Sequence, residues 1–274
     1  MRIGLGRLRR QIAPFMGLAG LDRPPELALL TWPVLWALWL AAGGPPTAGQ
    51  VLLVLTVWVL GRAAVCALSN WWDGRLFALD PAYALAVALS SAVGVMVLLA
   101  AAGGSAWVAA LIGFALVGIY PVLRQHSHLA QLVLALGYGA IAPAVFAATA
   151  AGLSRQAWLM YAVLTLWAAA SATIAALGRR ESDAERGRKS TALLFGDGTW
   201  GLVGILYGVM FLALVLLGSE PQFGVRYYGA VAVAAGLSLV GASVLRQGAS
   251  GIRGAKMAQN IAGAVLLAGM TVGG

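Results

Sequence analysis

Nine apolar runs follow one another along this chain with only short polar links between them, and each is near the ~20 residues a helix needs to cross a bilayer. They cover about 25–42, 50–69, 81–102, 106–123, 129–151, 158–177, 200–217, 227–245 and 257–272. A chain that is 61% hydrophobic and 10% charged, with a mean hydropathy of +0.87, has no counterpart among soluble domains of 274 residues. The expected fold class is an all-α integral membrane protein. Residues 1–24 form a basic interfacial arm and 25–274 one membrane domain of nine transmembrane helices. The arm's apolar stretch is too short and too broken by glycine for a cleavable signal. The single cysteine, Cys66, excludes an intrachain disulfide and a cysteine metal cluster.

A net charge of +9 suits either a nucleic-acid partner or a membrane topology. Its distribution decides. Sixteen of the eighteen basic residues fall on the side of the N-terminus, and only Arg155 and Arg226 fall on the other. Such a bias marks the cytoplasmic face. The expected placement is a multi-pass protein of the inner membrane, with the N-terminus cytoplasmic, the C-terminus outside, and the bilayer rather than nucleic acid as partner. Eight of the nine carboxylates, all but Glu220, share the cytoplasmic side. Acidic residues contribute little to topology, so both signs gathered on one face point to a cytoplasm-facing site.

Two links on that face carry the candidate residues. The first ends the second span and reads RAAVCALSNWWDGRLFALD from Arg62 to Asp80. Its polar patch is Ser69, Asn70, Asp73 and Arg75, with Trp71 and Trp72 between. One reading is a solvated helix end with a tryptophan belt. The other is a metal–diphosphate site, because Asn and Asp oxygens suit Mg²⁺. The second link, 178–197, is the longest charged stretch and holds Arg179, Arg180, Glu181, Asp183, Glu185, Arg186, Arg188, Lys189, Ser190, Thr191 and Asp197. Its Lys-Ser-Thr run reads either as an anion cradle, a lysine charge flanked by hydroxyl donors, or as a solvated loop with Ser190 or Thr191 capping the next helix. Arg62 reads as a ligand or as a snorkelling side chain. His126 and His128 are solvated or act in proton transfer. Tyr120 and Tyr138 line a pocket or pack. Trp32, Trp36 and Trp39 share one helix face, towards lipid or towards a ligand.

The residues Asp22-Arg23-Pro24 followed by LLTWPVLWALWLA, Arg62-Ala63-Ala64, IYPVLRQHSHLAQ at 119–131 and GRKSTALLFG at 187–196 occur in an order and spacing that resembles the UbiA superfamily of membrane prenyltransferases, especially the 4-hydroxybenzoate polyprenyltransferases. The likeness runs from about Leu21 to Gly196 and is looser in the last three spans, with Asn260 in a matching place. It implies a helical bundle around a cytoplasm-facing central cavity, an isoprenoid or aromatic small-molecule substrate, and a role in quinone biosynthesis. It also implies two aspartate-rich helix ends that hold Mg²⁺ against a diphosphate.

Those ends depart from the pattern. Aligned from Arg62, the four positions of the Asn-Asp-x-x-Asp-x-x-x-Asp motif are Ser69, Asn70, Asp73 and Phe77. Counted back from Lys189, the acids of the second motif fall at Ala172, Ala176 or Arg179, with Glu181 and Asp183 nearby. By resemblance, Asp73 and Asn70 are the catalytic candidates, and Asp73, Asn70 and Asp183 the metal candidates. Arg62, Tyr120, Arg124, His128, Lys189, Ser190 and Thr191 are the substrate-binding candidates. The acids left are too few for two ordinary Mg²⁺ sites, so a bound diphosphate is expected to rest mainly on arginine and lysine. Three functions follow. One is a prenyl-group transferase with a reduced diphosphate site. The second is a metal-independent intramembrane cyclase or isomerase. The third is a non-catalytic lipid- or quinone-binding partner.

Overall fold

The computed structural model describes residues 13–74, 79–149, 152–219 and 223–272, so residues 1–12 of the basic arm, Arg75, Phe77 and Glu220 lie outside the described residues. A short helix at 13–18 precedes α1 (Pro24–Ala41), α2 (Ala48–Trp72), α3 (Pro81–Ala102) and α4 (Ala106–His126). Next come α5 (Ala130–Gly139), α6 (Ile141–Ala148), α7 (Arg155–Leu177), α8 (Arg180–Glu185) and α9 (Thr191–Phe195). The chain ends in α10 (Thr199–Leu217), α11 (Val225–Val244) and α12 (Ala249–Val272). No strand occurs among the described residues.

Seven segments among them are long and apolar enough to cross a membrane: α2, α3, α4, α5 with α6, α7, α9 with α10, and α11 with the turn after it. The other two of the nine expected spans are helical but fall outside that set. α1 carries Glu26 and an interior proline, and the first half of α12 carries Arg253, Lys256, Gln259 and Asn260. α1 packs against α12, α6, α7 and α2, and α12 against α11, α1 and α7. The fifth span is not one rod either. Pro143 has no N–H, so the Gly139 carbonyl loses its helical partner, and the helix breaks at Ala140. The charged link also contains two short helices, α8 and α9, where a loop is the simpler sequence reading.

α7 is the central element. It packs against α10, α5, α6, α1 and α9, and buries Met160, Val163, Leu164, Trp167 and Ile174. Side-chain donors mend what proline removes. Pro33 frees the Leu29 carbonyl, and Trp167 Nε1 donates to it at 2.9 Å; Tyr138 donates its hydroxyl to the Leu30 carbonyl. Trp36 is fully buried, stacks edge-on against Trp167 with centroids 5.0 Å apart, and donates to the Gly263 carbonyl at 3.1 Å. Trp32 donates to Asn260 Oδ1 at 3.2 Å. These two tryptophans tie α1 to α7 and α12 rather than facing lipid.

The helix at 13–18 is locked under α2. Gly20 has φ +67° and ends that helix, with Leu21 N donating to Met16 O at 2.8 Å and Gly20 N to Gly17 O at 3.2 Å. A side chain at Gly20 would sit 2.6 Å from Cys66 Sγ, so close approach needs glycine as well.

Candidate functional site

One cavity of about 460 Å³ opens between α1, α2, α4, α5, α6, α7 and α12, with a small contribution from α3. α10 and α11 give it no lining residue. Its depth is apolar, with Val54, Val57, Trp58, Leu99, Phe114, Ile141 and Val145 among the walls. Its polar end collects Arg62, Asn70, Asp73, Tyr120, Arg124, Arg179, Asp183, Arg188 and Lys189. A greasy tunnel closed by charged groups at one end suits a ligand with an apolar tail and an anionic head.

Asp73 stands at the C-cap of α2 and receives two guanidiniums on one oxygen, from Arg124 and from Arg188, the latter at 3.1 Å. Its side chain is 6% exposed, and those of Arg124 and Arg188 are 15% and 17% exposed. A triad this dry cannot be treated as a surface ion pair. Each partner holds a charge the others need, and losing one leaves the rest uncompensated. Arg124 also lies 5.7 Å from the centre of the Tyr120 ring, and its Nε is buried without a hydrogen-bond partner.

The segment 188–191 is stitched to the end of α4 and the start of α5. Lys189 donates its backbone N–H to the Arg124 carbonyl at 2.8 Å, and its ammonium to the His126 carbonyl at 3.0 Å. His128 Nδ1 lies 3.2 Å from the Ser190 carbonyl. Ser190 caps α9, accepting from Leu193 N at 3.3 Å. Thr191 is buried, takes Gln131 Oε1 on its N–H at 3.3 Å and pairs its hydroxyl with Thr173 at 3.3 Å. His128, Ser190 and Thr191 therefore stand behind the wall and do not line the cavity. Their contacts fix where Arg188 and Lys189 point. Asn70 and Arg62 line the cavity but also hold the N-terminal segment, Asn70 Nδ2 donating to Leu18 O at 3.0 Å and Arg62 Nε to Gly20 O at 3.0 Å.

A second polar group escaped the sequence reading. Gln259 on α12 is 1% exposed, lines the cavity and donates to Ser171 Oγ on α7 at 2.6 Å, while its Oε1 has no hydrogen-bond partner. Beside it in the chain, Lys256 pairs with Glu26 of α1 at 2.9 Å, and both line the same cavity. The available signal was a serine within the apolar α7 and a glutamine among the polar residues of α12, groups that are costly in a bilayer without a purpose.

The carboxylates at this end are few. Asp73 is taken by two guanidiniums, Ala172 lines the cavity at one position where an acid is implied, and Arg179 lines it at another. Asp183 is the other carboxylate that lines the cavity beside these arginines. Among the described residues no group of three or more His, Cys, Asp or Glu is placed to hold a metal.

The model of the UbiA prenyltransferase family matches residues 78–262. The chain is 37% identical to a 4-hydroxybenzoate octaprenyltransferase of Xanthomonas campestris over 237 residues, covering 78% of this chain and 76% of that one. It is 35% identical to another from Marinobacter nauticus, over 82% of both chains. Among solved structures, a UbiA homolog from Aeropyrum pernix superposes with a TM-score of 0.73 at 18% identity, over 89% of this chain and 98% of that one. A UbiA homolog from Archaeoglobus fulgidus, bound to DMAPP and Mg²⁺, gives 0.70 at 14% identity, over 94% and 99%. This chain belongs to the UbiA prenyltransferase family and is a multi-pass membrane protein.

Proposed function

We propose that the chain moves a prenyl group from a prenyl diphosphate to an aromatic acceptor of the 4-hydroxybenzoate kind. The observation that carries this reading is a single cavity with an apolar depth and a cationic end. The relatives are 4-hydroxybenzoate octaprenyltransferases, and the cavity's two characters match the two halves of a prenyl diphosphate. In the transfer, the bond between prenyl carbon and diphosphate oxygen breaks, and the diphosphate leaves with the electron pair. The prenyl carbon bonds to the acceptor ring, which then gives up a proton to water at the open end. Arg124, Arg188, Arg179 and Lys189 are the groups that would meet the charge developing on the leaving diphosphate. A guanidinium cannot match a divalent ion for charge density, so turnover is expected to be slow.

The remaining parts of the reading are topological. All nine long segments, α1 and α12 included, would cross the inner membrane, with the N-terminus cytoplasmic and the cavity open to the cytoplasm. The asymmetry of basic residues supports this.

The test is to incubate the protein in detergent with geranyl diphosphate and 4-hydroxybenzoate and to follow the prenylated acceptor by mass. Product formation that needs both substrates is expected. No product under any condition, with substrate still bound, would move the chain to the second reading. That reading is a metal-independent isomerase, a cyclase or a lipid-binding partner on the same scaffold, and the double pairing of Asp73 favours it.

A further inference from the structure

We infer that the polar end of the cavity binds a diphosphate directly through arginine and lysine, without a divalent ion, and that Asp73 is the internal counter-ion the diphosphate displaces. This rests on the transferase reading only for the apolar tail of the ligand. The anion site stands on the residues themselves.

Three observations carry it. The first is the pairing of Asp73. A carboxylate reserved for a metal is held by hydrogen-bond donors that orient it, whereas this one is the shared acceptor of two full positive charges on a single oxygen. The second is the balance of charge. Arg124, Arg179, Arg188 and Lys189 line this end against Asp73 and Asp183, which leaves an excess of cations there even with the Lys189 ammonium on the His126 carbonyl. A guanidinium keeps its charge at any working pH and can meet phosphate oxygens in pairs. The third is the orphan donor. Arg124 Nε is buried and without a partner, which is costly unless a ligand or a rearrangement supplies an acceptor. A diphosphate entering from the apolar side offers more oxygens than Asp73 does. It can take over both arginines and leave Asp73 to turn towards the open end.

The position of Arg188 is built rather than accidental. Lys189 and Ser190, its neighbours in sequence, are tied to the Arg124 carbonyl and to His128. The guanidiniums of residues 64 positions apart in the chain are thereby brought onto one oxygen.

The two roles for Asp73 give opposite signs. As a metal ligand, it strengthens diphosphate binding, and Asp73→Asn weakens it. As a counter-ion, it competes with the diphosphate, and Asp73→Asn strengthens binding. The experiment is calorimetric titration of the detergent-solubilised full chain with geranyl diphosphate, in excess EDTA and then in Mg²⁺. The wild-type affinity in EDTA should stay within about threefold of that in Mg²⁺, since the clamp is made of fixed charges. Asp73→Asn should bind at least about threefold tighter in EDTA, through loss of a nearby negative charge. Arg188→Ala should bind about tenfold weaker, through loss of a charge-assisted contact. Binding that vanishes in EDTA and returns with Mg²⁺ overturns the inference, and so does absence of binding in both. Weaker binding by Asp73→Asn, or unchanged binding by Arg188→Ala, also overturns it. The wild-type comparison needs no variant to fold. Transfer is assayed on the same sample: binding in EDTA with no transfer in EDTA or in Mg²⁺ leaves this inference standing and removes the transferase reading, and transfer in Mg²⁺ with no binding in EDTA does the reverse.

Discussion

Gln259 lines the cavity, and its Oε1 is buried without a hydrogen-bond partner. A hydroxyl on the aromatic acceptor is a donor of the right kind, and the amide's other end is already committed to Ser171. Gln259→Leu keeps the volume and removes the acceptor. It should raise the KM for 4-hydroxybenzoate by about tenfold, the effect of leaving a ligand hydroxyl unpaired, at ~1–3 kcal/mol. The KM for geranyl diphosphate should not move. A change in both, or in neither, would place Gln259 among purely structural residues. Asp73 was legible in the sequence as the one surviving acid of its motif, but its partners were not. Arg124 is near the end of α4 and Arg188 lies in the link between α8 and α9, and no spacing rule joins them. The chain order named Lys189, Ser190 and Thr191 together, yet only Lys189 reaches the cavity. Ser190 serves its own helix as a cap, a reading the sequence held open.

Among the elements, the break between α5 and α6 shows what hydropathy cannot report. The apolar run from 129 to 151 is continuous, while Pro143 and a pair of close helix contacts divide it. A Cβ at Gly139 would meet Thr165 Oγ1 on α7 at 2.1 Å, and one at Gly137 would meet the Gly113 carbonyl on α4 at 2.8 Å. Small residues let these helices touch by their backbones. Gly139→Ala should destabilise the protein by about 1–3 kcal/mol, the usual cost of forcing atoms into a filled space. Thermal unfolding in detergent would show it, and adding Thr165→Ala should recover part of the loss, because the closest contact is with that hydroxyl while the Tyr161 carbonyl, at 3.0 Å, stays. Equal losses in the single and double variants would contradict this. Pro33 is visible in the sequence as an interior proline, but the tryptophan that answers the carbonyl it frees lies 138 residues further on.

For the whole molecule, helix content and membrane residence were readable from composition and run length, because burial in lipid demands both. Seven segments among the described residues meet the length and apolarity of a span, and α1 and α12 are helices in which Glu26, Lys256, Trp32 and Asn260 pair with one another. The pairs, Glu26–Lys256 and Trp32–Asn260, join these residues across the two helices. If all nine cross, a phosphatase reporter fused to the C-terminus should be active outside the cytoplasm, and a fluorescent reporter there dark. The reverse pattern would remove one crossing.

The most direct measurement is a structure of the protein with geranyl diphosphate in the presence of EDTA. The expected result places phosphate oxygens about 2.7–2.9 Å from guanidinium nitrogens of Arg124 and Arg188, the length of a charge-assisted bond, with the prenyl tail running into the apolar depth beside Phe114 and Val145. A diphosphate found elsewhere, or one that appears only with a metal bound between it and Asp73 or Asp183, would contradict it.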